Sequence, residues 1–235
     1  TIQWVATGYT LALATVIPIT GWAADRFGTK RLYMLSLGLF AAGSVLAGLA
    51  WSAESLIFFR ILQGFGGGMI MPAGMTILTR AAGTDRIGRV MAVIGVPMLL
   101  GPIFGPILGG WLVDDFSWHW IFFINLPIGI LALIFSLRIL KKDVPSHDET
   151  LDWLGLALLS PGLALLIYGL AETATEGGMG ATKVLVPMLA GALLIVAFVV
   201  HALRTDEPLI DLGLFRNRTF SVASLTMVLF SVAFF

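Results

Sequence analysis

Cysteine is absent from this chain, which excludes disulfides, thiolate nucleophiles and cysteine-held metals. Charge is scarce. Only 12% of residues are Asp, Glu, Lys or Arg, against about 25% in soluble proteins. No charged residue precedes Asp25. The positive and negative totals are equal and the basic residues form no single patch, so nucleic acid is not an expected partner. Histidine is rare: His119, His147 and His201 are scattered and read as non-catalytic. The glycine-rich run "GFGGGMIMP" lacks the Gly-Lys-Ser/Thr that a phosphate-binding loop requires. No His-Glu-x-x-His occurs, and no serine has a patterned His/Asp partner. No enzyme, metal or cofactor is expected.

Apolar length is abundant. Hydrophobic residues make up 58% of the chain and the mean hydropathy is +0.95. Several uncharged runs exceed the roughly 18 residues beyond which a membrane-spanning helix is the better reading than a soluble core. Eight apolar segments are expected, near 4–24, 32–51, 55–78, 90–113, 120–140, 152–171, 183–203 and 219–235. At about 1.5 Å of rise per residue each reaches across a hydrocarbon layer of roughly 30 Å, the last only barely. They lack the alternation of barrel strands. The expected fold class is all-α, a polytopic membrane helical bundle. The chain starts with Thr1 and stops inside an apolar run, so it is expected to be a fragment of a longer protein.

The few charges are ordered. Arg26, Lys30 and Arg31 occupy the first connection, Arg80, Arg86 and Arg89 the third, Arg138, Lys141 and Lys142 the fifth, and Arg204, Arg216 and Arg218 the seventh. The second and fourth connections hold no basic residue, and the sixth has only Lys183 at its border. The positive-inside rule therefore places the odd connections in the cytoplasm. Trp51, Trp118 and Trp120 mark outer connections, as an interfacial aromatic belt would.

Four stretches call for chemistry. In "GWAADRFGTKR" (21–31), Gly28 supplies a tight turn between two spanning helices and Asp25 closes the first of them. Lys30 and Arg31 open the second, the end of a helix where the macrodipole disfavours cations. Topology explains them; so does a charge network in which Asp25 pairs with basic residues or caps a neighbouring helix. Arg60, in "LIFFRILQGFGGG", lies within a spanning segment, where a charge costs about 2.5–3.5 kcal/mol on insertion scales. It faces the bundle interior or a water-filled cavity, or it snorkels from its place near the outer end. In "GVPMLLGPIFGPILGG" (95–110), Gly101, Gly105 and Gly109 share one smooth face, and Pro102 and Pro106 are expected to bend the helix. In "WHWIFFINLPIG" (118–129), Asn125 needs a polar partner and Pro127 is a kink candidate; both read as structural.

These stretches resemble signatures of the major facilitator superfamily. Gly21-Trp-Ala-Ala-Asp25-Arg26-Phe-Gly28-Thr-Lys30-Arg31 is similar to the G-x-L-a-D-r-x-G-r-k loop between the second and third helices, with Ala23 and Thr29 departing from the pattern. The resemblance implies an inner gate formed by Gly21, Asp25, Arg26, Gly28, Lys30 and Arg31. Arg60-Ile-Leu-Gln63-Gly64 resembles the R-x-x-q-G of the fourth helix in proton-driven members, implying proton coupling for Arg60 and, more weakly, Gln63. Its acidic partner in the first helix would precede this chain. Gly101, Pro102, Gly105, Pro106, Gly109 and Gly110 resemble the antiporter signature of the fifth helix, which implies export and a seal between halves. The stretch 118–129 resembles the sixth helix of fourteen-helix drug/proton antiporters of the EmrB/QacA kind.

The resemblance implies a partial major facilitator bundle. Residues 1–140 would be part of the amino-terminal bundle, 141–218 two linker helices with their cytoplasmic connections, and 219–235 the start of the second bundle. The expected function is proton-coupled export of hydrophobic or cationic small molecules by alternating access in a bacterial inner membrane. The rivals are a same-fold exporter of a metabolite, siderophore or lipid, and a non-transporting receptor or scaffold. The expected partners are the lipid bilayer, a small hydrophobic substrate and protons, with a periplasmic adaptor protein left open.

Overall fold

The computed structural model describes residues 2–141, 150–176 and 178–234; Lys142 and His147 lie outside them. Every regular element among the described residues is helical. In chain order these are α1 (Gln3–Val16), α2 (Thr20–Phe27), α3 (Thr29–Gly48), α4 (Ala53–Asp115), α5 (Trp120–Phe123), α6 (Asn125–Ile139), α7 (Trp153–Glu176), α8 (Thr182–Ala202), the 3-10 turn η1 (Leu212–Arg216) and α9 (Arg218–Phe234). Among the described residues, six stretches are long and apolar enough to cross a membrane, or seven when α1 and α2, bent by 56° at their junction, form one broken span. The apolar part of α9, Arg218–Ser231, is shorter. Seven of the eight expected segments thus have their spans, and the eighth is the short one.

The break between α1 and α2 falls at Ile17-Pro18-Ile19. Pro18 has no N–H to donate to the Ala14 carbonyl, and the bend it forces also takes the Ile19 N–H away from the Thr15 carbonyl, so two carbonyls lose their helical donors. One of them, on Thr15, accepts a hydrogen bond of 2.8 Å from Ser160 Oγ on α7. The kink is thereby satisfied from a neighbouring helix, as the interior of a bilayer requires.

The expected connection between the third and fourth segments is present as a single-residue break between two spans, Ala53–Gly83 and Asp85–Asp115. The helix runs on through the arginine-bearing stretch, and Gly83 (φ 67°, ψ 176°) is the sole non-helical position inside α4. Ala81 and Ala82 favour helix, so the break shrinks to the one residue able to take that conformation cheaply. Pro102 and Pro106 lie inside α4 at helical dihedrals, so the interruption is Gly83 and not the prolines.

α1, α3 and the first half of α4, Ala53–Gly83, form the tightest bundle, and α6 packs on α3. Glycines set these distances. A Cβ on Gly64 would stand 2.5 Å from the Tyr9 carbonyl oxygen, and one on Gly66 2.5 Å from the Phe40 nitrogen. α7 and α8 pair as a hairpin in the same manner, where a Cβ on Gly191 would meet the Gly162 carbonyl oxygen at 2.7 Å. Small residues are how membrane helices approach closely without a hydrophobic driving force. The second half of α4, Asp85–Asp115, has no part of its apolar window buried.

Candidate functional site

Three expected cytoplasmic connections meet at one end of the bundle. Gly28 takes φ 90° and is the single residue between α2 and α3. This turn puts Asp25 beside Arg80 of α4, with Nη2 to Oδ1 at 2.8 Å. Nη1 of the same arginine donates to Thr29 Oγ1 at 2.9 Å. One planar guanidinium therefore bridges the last turn of α2 and the first residue of α3, a geometry suited to arginine's fork. Thr29, the departure from the usual basic residue, is fully buried and supplies a neutral acceptor where a cation would repel Arg80.

Lys30 resolves the question of cations at a helix start. Its ammonium donates to the carbonyls of Leu137, at 3.0 Å, and Leu140. Those are orphan acceptors at the C-terminal end of α6, where a cation is favoured. Lys30 sits at the wrong end of its own helix and the right end of its neighbour's. Arg31 is exposed, Arg26 is half-buried, and Gly21 is exposed at the rim of a cavity.

Arg60 turns inward. Nε donates to the Val5 carbonyl at 3.3 Å and Nη1 to Gln63 Oε1 at 2.7 Å. The guanidinium carbon lies 4.0 Å over the Tyr9 ring and 5.7 Å from that of Phe122. Gln63 is 1% exposed. The structure thus brings Arg60 and Gln63 together at the α1–α4 contact, with ring faces supplying cation–π attraction. All of these partners are neutral.

Asn125 finds the partner it needs. Its Nδ2 donates to Ser44 Oγ at 3.1 Å, and Ser44 donates to the Phe122 carbonyl at 2.9 Å. Pro127 follows at the third position of α6, just past the α5–α6 break at Ile124, whose dihedrals remain helical. The pair ties α3 to that weak point. Gly101, Gly105, Gly109 and Gly110 stand apart from these clusters: beyond their chain neighbours and their own helix's backbone, no heavy atom among the described residues lies within 4 Å of a Cβ built on any of them.

Sequence reasoning counted Arg80 for topology and missed its bridge, because its partners are 51 and 55 residues away. It dismissed "GFGGG" as a failed phosphate loop, although the spacing of Gly64 and Gly68, four residues apart as in a small-residue packing face, was a readable signal. It set His201 aside as non-catalytic and passed over Asp152, although the two side chains meet at 2.8 Å where the start of α7 lies beside the last turn of α8.

Comparison with known proteins places the whole chain in context. The family described as "Major Facilitator Superfamily" matches residues 1–235. A protein of Mycobacterium tuberculosis named "Multidrug resistance protein B homolog" is 51% identical over 235 residues, covering 100% of this chain and 44% of that protein. "Multidrug export protein EmrB" of Haemophilus influenzae is 37% identical over 223 residues, 94% of this chain and 44% of its own length. "Multidrug transporter protein MdtP" of Bacillus subtilis is 33% identical over 234 residues, 100% of this chain and 43% of its own. The chain spans less than half the length of each of these relatives.

Proposed function

The chain belongs to the Major Facilitator Superfamily as a multi-pass membrane protein, and on that premise we propose that the whole protein is a proton-coupled antiporter of the fourteen-helix branch, exporting hydrophobic or cationic small molecules across a bacterial inner membrane by alternating access. Residues 1–140 are then part of the amino-terminal bundle, 141–218 the linker helices, and 219–235 the start of the second bundle. The names of the relatives support drug export as the cargo class.

The observation that carries the reading is Arg60, a cation drawn into the bundle and met by neutral groups. Such a charge is sensitive to any carboxylate that gains or loses a proton nearby. At an effective dielectric of 20 a unit charge 4 Å away changes its energy by about 4 kcal/mol. Gln63 holds the guanidinium in place for that role. The Arg80–Asp25 bridge latches the inner gate, with Gly21, Arg26, Gly28, Lys30 and Arg31 shaping it. The face of Gly101, Gly105 and Gly109, with Pro102, Pro106 and Gly110, forms the sliding seal against the other half.

The test is dye efflux from cells carrying the full natural chain that contains this sequence, with and without a proton uncoupler, beside Arg60→Ala at matched expression. Efflux is expected to stop with the uncoupler. It is expected to fall about tenfold or more with Arg60→Ala, the rate equivalent of roughly 1.4 kcal/mol. A folded Arg60→Ala protein with full, uncoupler-sensitive efflux removes the coupling role. No efflux of any dye despite normal insertion removes the drug-export reading.

A further inference from the structure

Asp152 stands immediately before α7 and gathers donors from three parts of the chain. Its Oδ1 accepts from the Gly155 N–H at 2.7 Å, closing the first turn of α7. The same oxygen lies 2.8 Å from His201 Nε2 in the last turn of α8. Oδ2 accepts from the Leu209 N–H at 3.1 Å, in the stretch between α8 and η1. An ionised carboxylate only accepts, so the ring nitrogen facing it carries the proton. The Asp152 side chain is 6% exposed. Burying a carboxylate is costly unless donors replace water, and here three do. Gly155 is part of the arrangement, because a Cβ there would collide with the carboxylate.

Further contacts bind the same stretch to the hairpin. Leu209 and Leu212 pack on the cluster of Leu159, Phe198 and Ala202. Thr205 Oγ1 donates to the His201 carbonyl at 3.0 Å, and Thr150 Oγ1 to Glu207 Oε2 at 2.8 Å. Residues 205–212 are thus held on α7 and α8 just upstream of α9.

The hairpin is moored in turn on the first span. Ser160 reaches the Thr15 carbonyl at the α1–α2 kink. Near the other end of α1, Gln3 Nε2 donates to the Ala171 carbonyl at 3.2 Å, and the Trp4 and Tyr168 rings lie 5.8 Å apart. Where α2 meets the cytoplasmic end of the hairpin there is a cavity of about 530 Å³, with Gly21, Trp22 and Asp25 on one wall and Asp152, Glu207 and Leu209 on the other. The mooring and the clasp therefore bracket α2, the helix that carries Asp25.

We propose that Asp152 is a clasp that locks residues 205–212, the entry to α9, onto the α7–α8 hairpin, and that Ser160 moors this hairpin on α1, so that the entry to α9 moves with the first span. The linker helices are on this account a mechanical brace and not a spacer. The geometry carries the clasp itself; its consequence for transport rests on the function proposed above. Because one carboxylate serves all three donors, its departure releases the three contacts together, and the clasp is either closed or lost as a unit.

The test uses spin-label distances on the full natural chain in lipid nanodiscs. One pair is placed at exposed Leu154 and Leu214, a second at exposed Phe27 and Leu214. Both pairs are expected to give a single narrow distribution in the unmodified background. Asp152→Asn and Gly155→Ala are each expected to broaden the Leu154–Leu214 distribution. Gly155→Ala expels the carboxylate while raising helix propensity, so it keeps the test alive should Asp152→Asn fold poorly. Ser160→Ala is expected to broaden Phe27–Leu214 and leave Leu154–Leu214 narrow. An unchanged Leu154–Leu214 distribution in folded Gly155→Ala overturns the clasp, and an unchanged Phe27–Leu214 distribution in Ser160→Ala overturns the mooring. Efflux is read in parallel and is expected to slow about fivefold or more, the lower range of a coupling between sites. The distances answer whether or not any dye is transported, so failure of the clasp and failure of the export reading are told apart.

Discussion

Lys30 and Arg80 show how far a side chain's meaning can lie from its own helix. Lys30 serves carbonyls at the end of α6, more than a hundred residues along the chain. Lys30→Met keeps much of the apolar stem and removes the donor, leaving those carbonyls without it. The expected loss is about 1 kcal/mol of stability, from one charge-assisted cap at a helix C-terminus. Denaturant unfolding in detergent checks it, together with faster amide exchange in the last turn of α6. Arg80 is a different case. Its pair with Asp25 is substantially exposed, 55% and 39%, and an exposed pair adds roughly 0–1 kcal/mol. Arg80→Ala is therefore expected to shift the unfolding midpoint little while strongly lowering efflux, because the bridge joins the ends of two helices that move in the proposed cycle. A large loss of stability with normal efflux in the folded fraction would make it a structural pair. The turn at Gly28 was legible because it is local. The Arg80 bridge was not, because pairing across helices leaves no spacing in the sequence.

At the scale of the element, glycine spacing carries two different meanings. Gly64 and Gly66 bring α4 against the backbones of α1 and α3, and a methyl on Gly66 would overlap both Phe40 N and Ser36 O. Backbone cannot step aside as a side chain can, so Gly66→Ala is expected to cost about 2 kcal/mol or more from overpacking, read as a lowered unfolding midpoint. Gly105 has open space around it in this chain, so no such collision is expected there. Both stretches read alike in sequence, since composition reports the small face and not what lies opposite. The spans themselves were legible because apolar length is a property of each segment alone. The connection at 79–89 does separate two spans, but its helical course was not legible, for a complementary reason. Its arginines marked sidedness, whereas helix continuity depended on Ala81, Ala82 and the one break at Gly83.

Across the whole molecule, the basic connections converge. Arg80 reaches Asp25, Lys30 reaches the end of α6, and Asp152 with Glu207 faces Gly21 and Asp25 across one cavity. The alternation of charge led to the expectation that these connections lie on one side, and they gather at one end of the bundle, as charge sorting during insertion would arrange. It did not foretell the clasp, whose carboxylate looks in sequence like any helix-starting Asp. The clasp has a definite pH signature. Burial raises the carboxyl pKa of Asp152, but the hydrogen bonds from Gly155, His201 and Leu209 outweigh it and hold the value below the usual carboxylate range. A depressed folded-state pKa means the contribution is fully present above the ordinary carboxylate pKa and is lost as pH falls through the lowered one. Among the described residues, the titratable groups facing this site are His201 from α8, Glu207 from the stretch before η1, and Asp25 across the cavity from α2. The Leu154–Leu214 distance distribution is thus expected to stay narrow as pH is lowered through the ordinary carboxylate range, and to broaden only in more acidic solution. Broadening that begins at or above the ordinary carboxylate range would overturn the lowered carboxyl pKa and, with it, the account of the clasp as a carboxylate held by three donors.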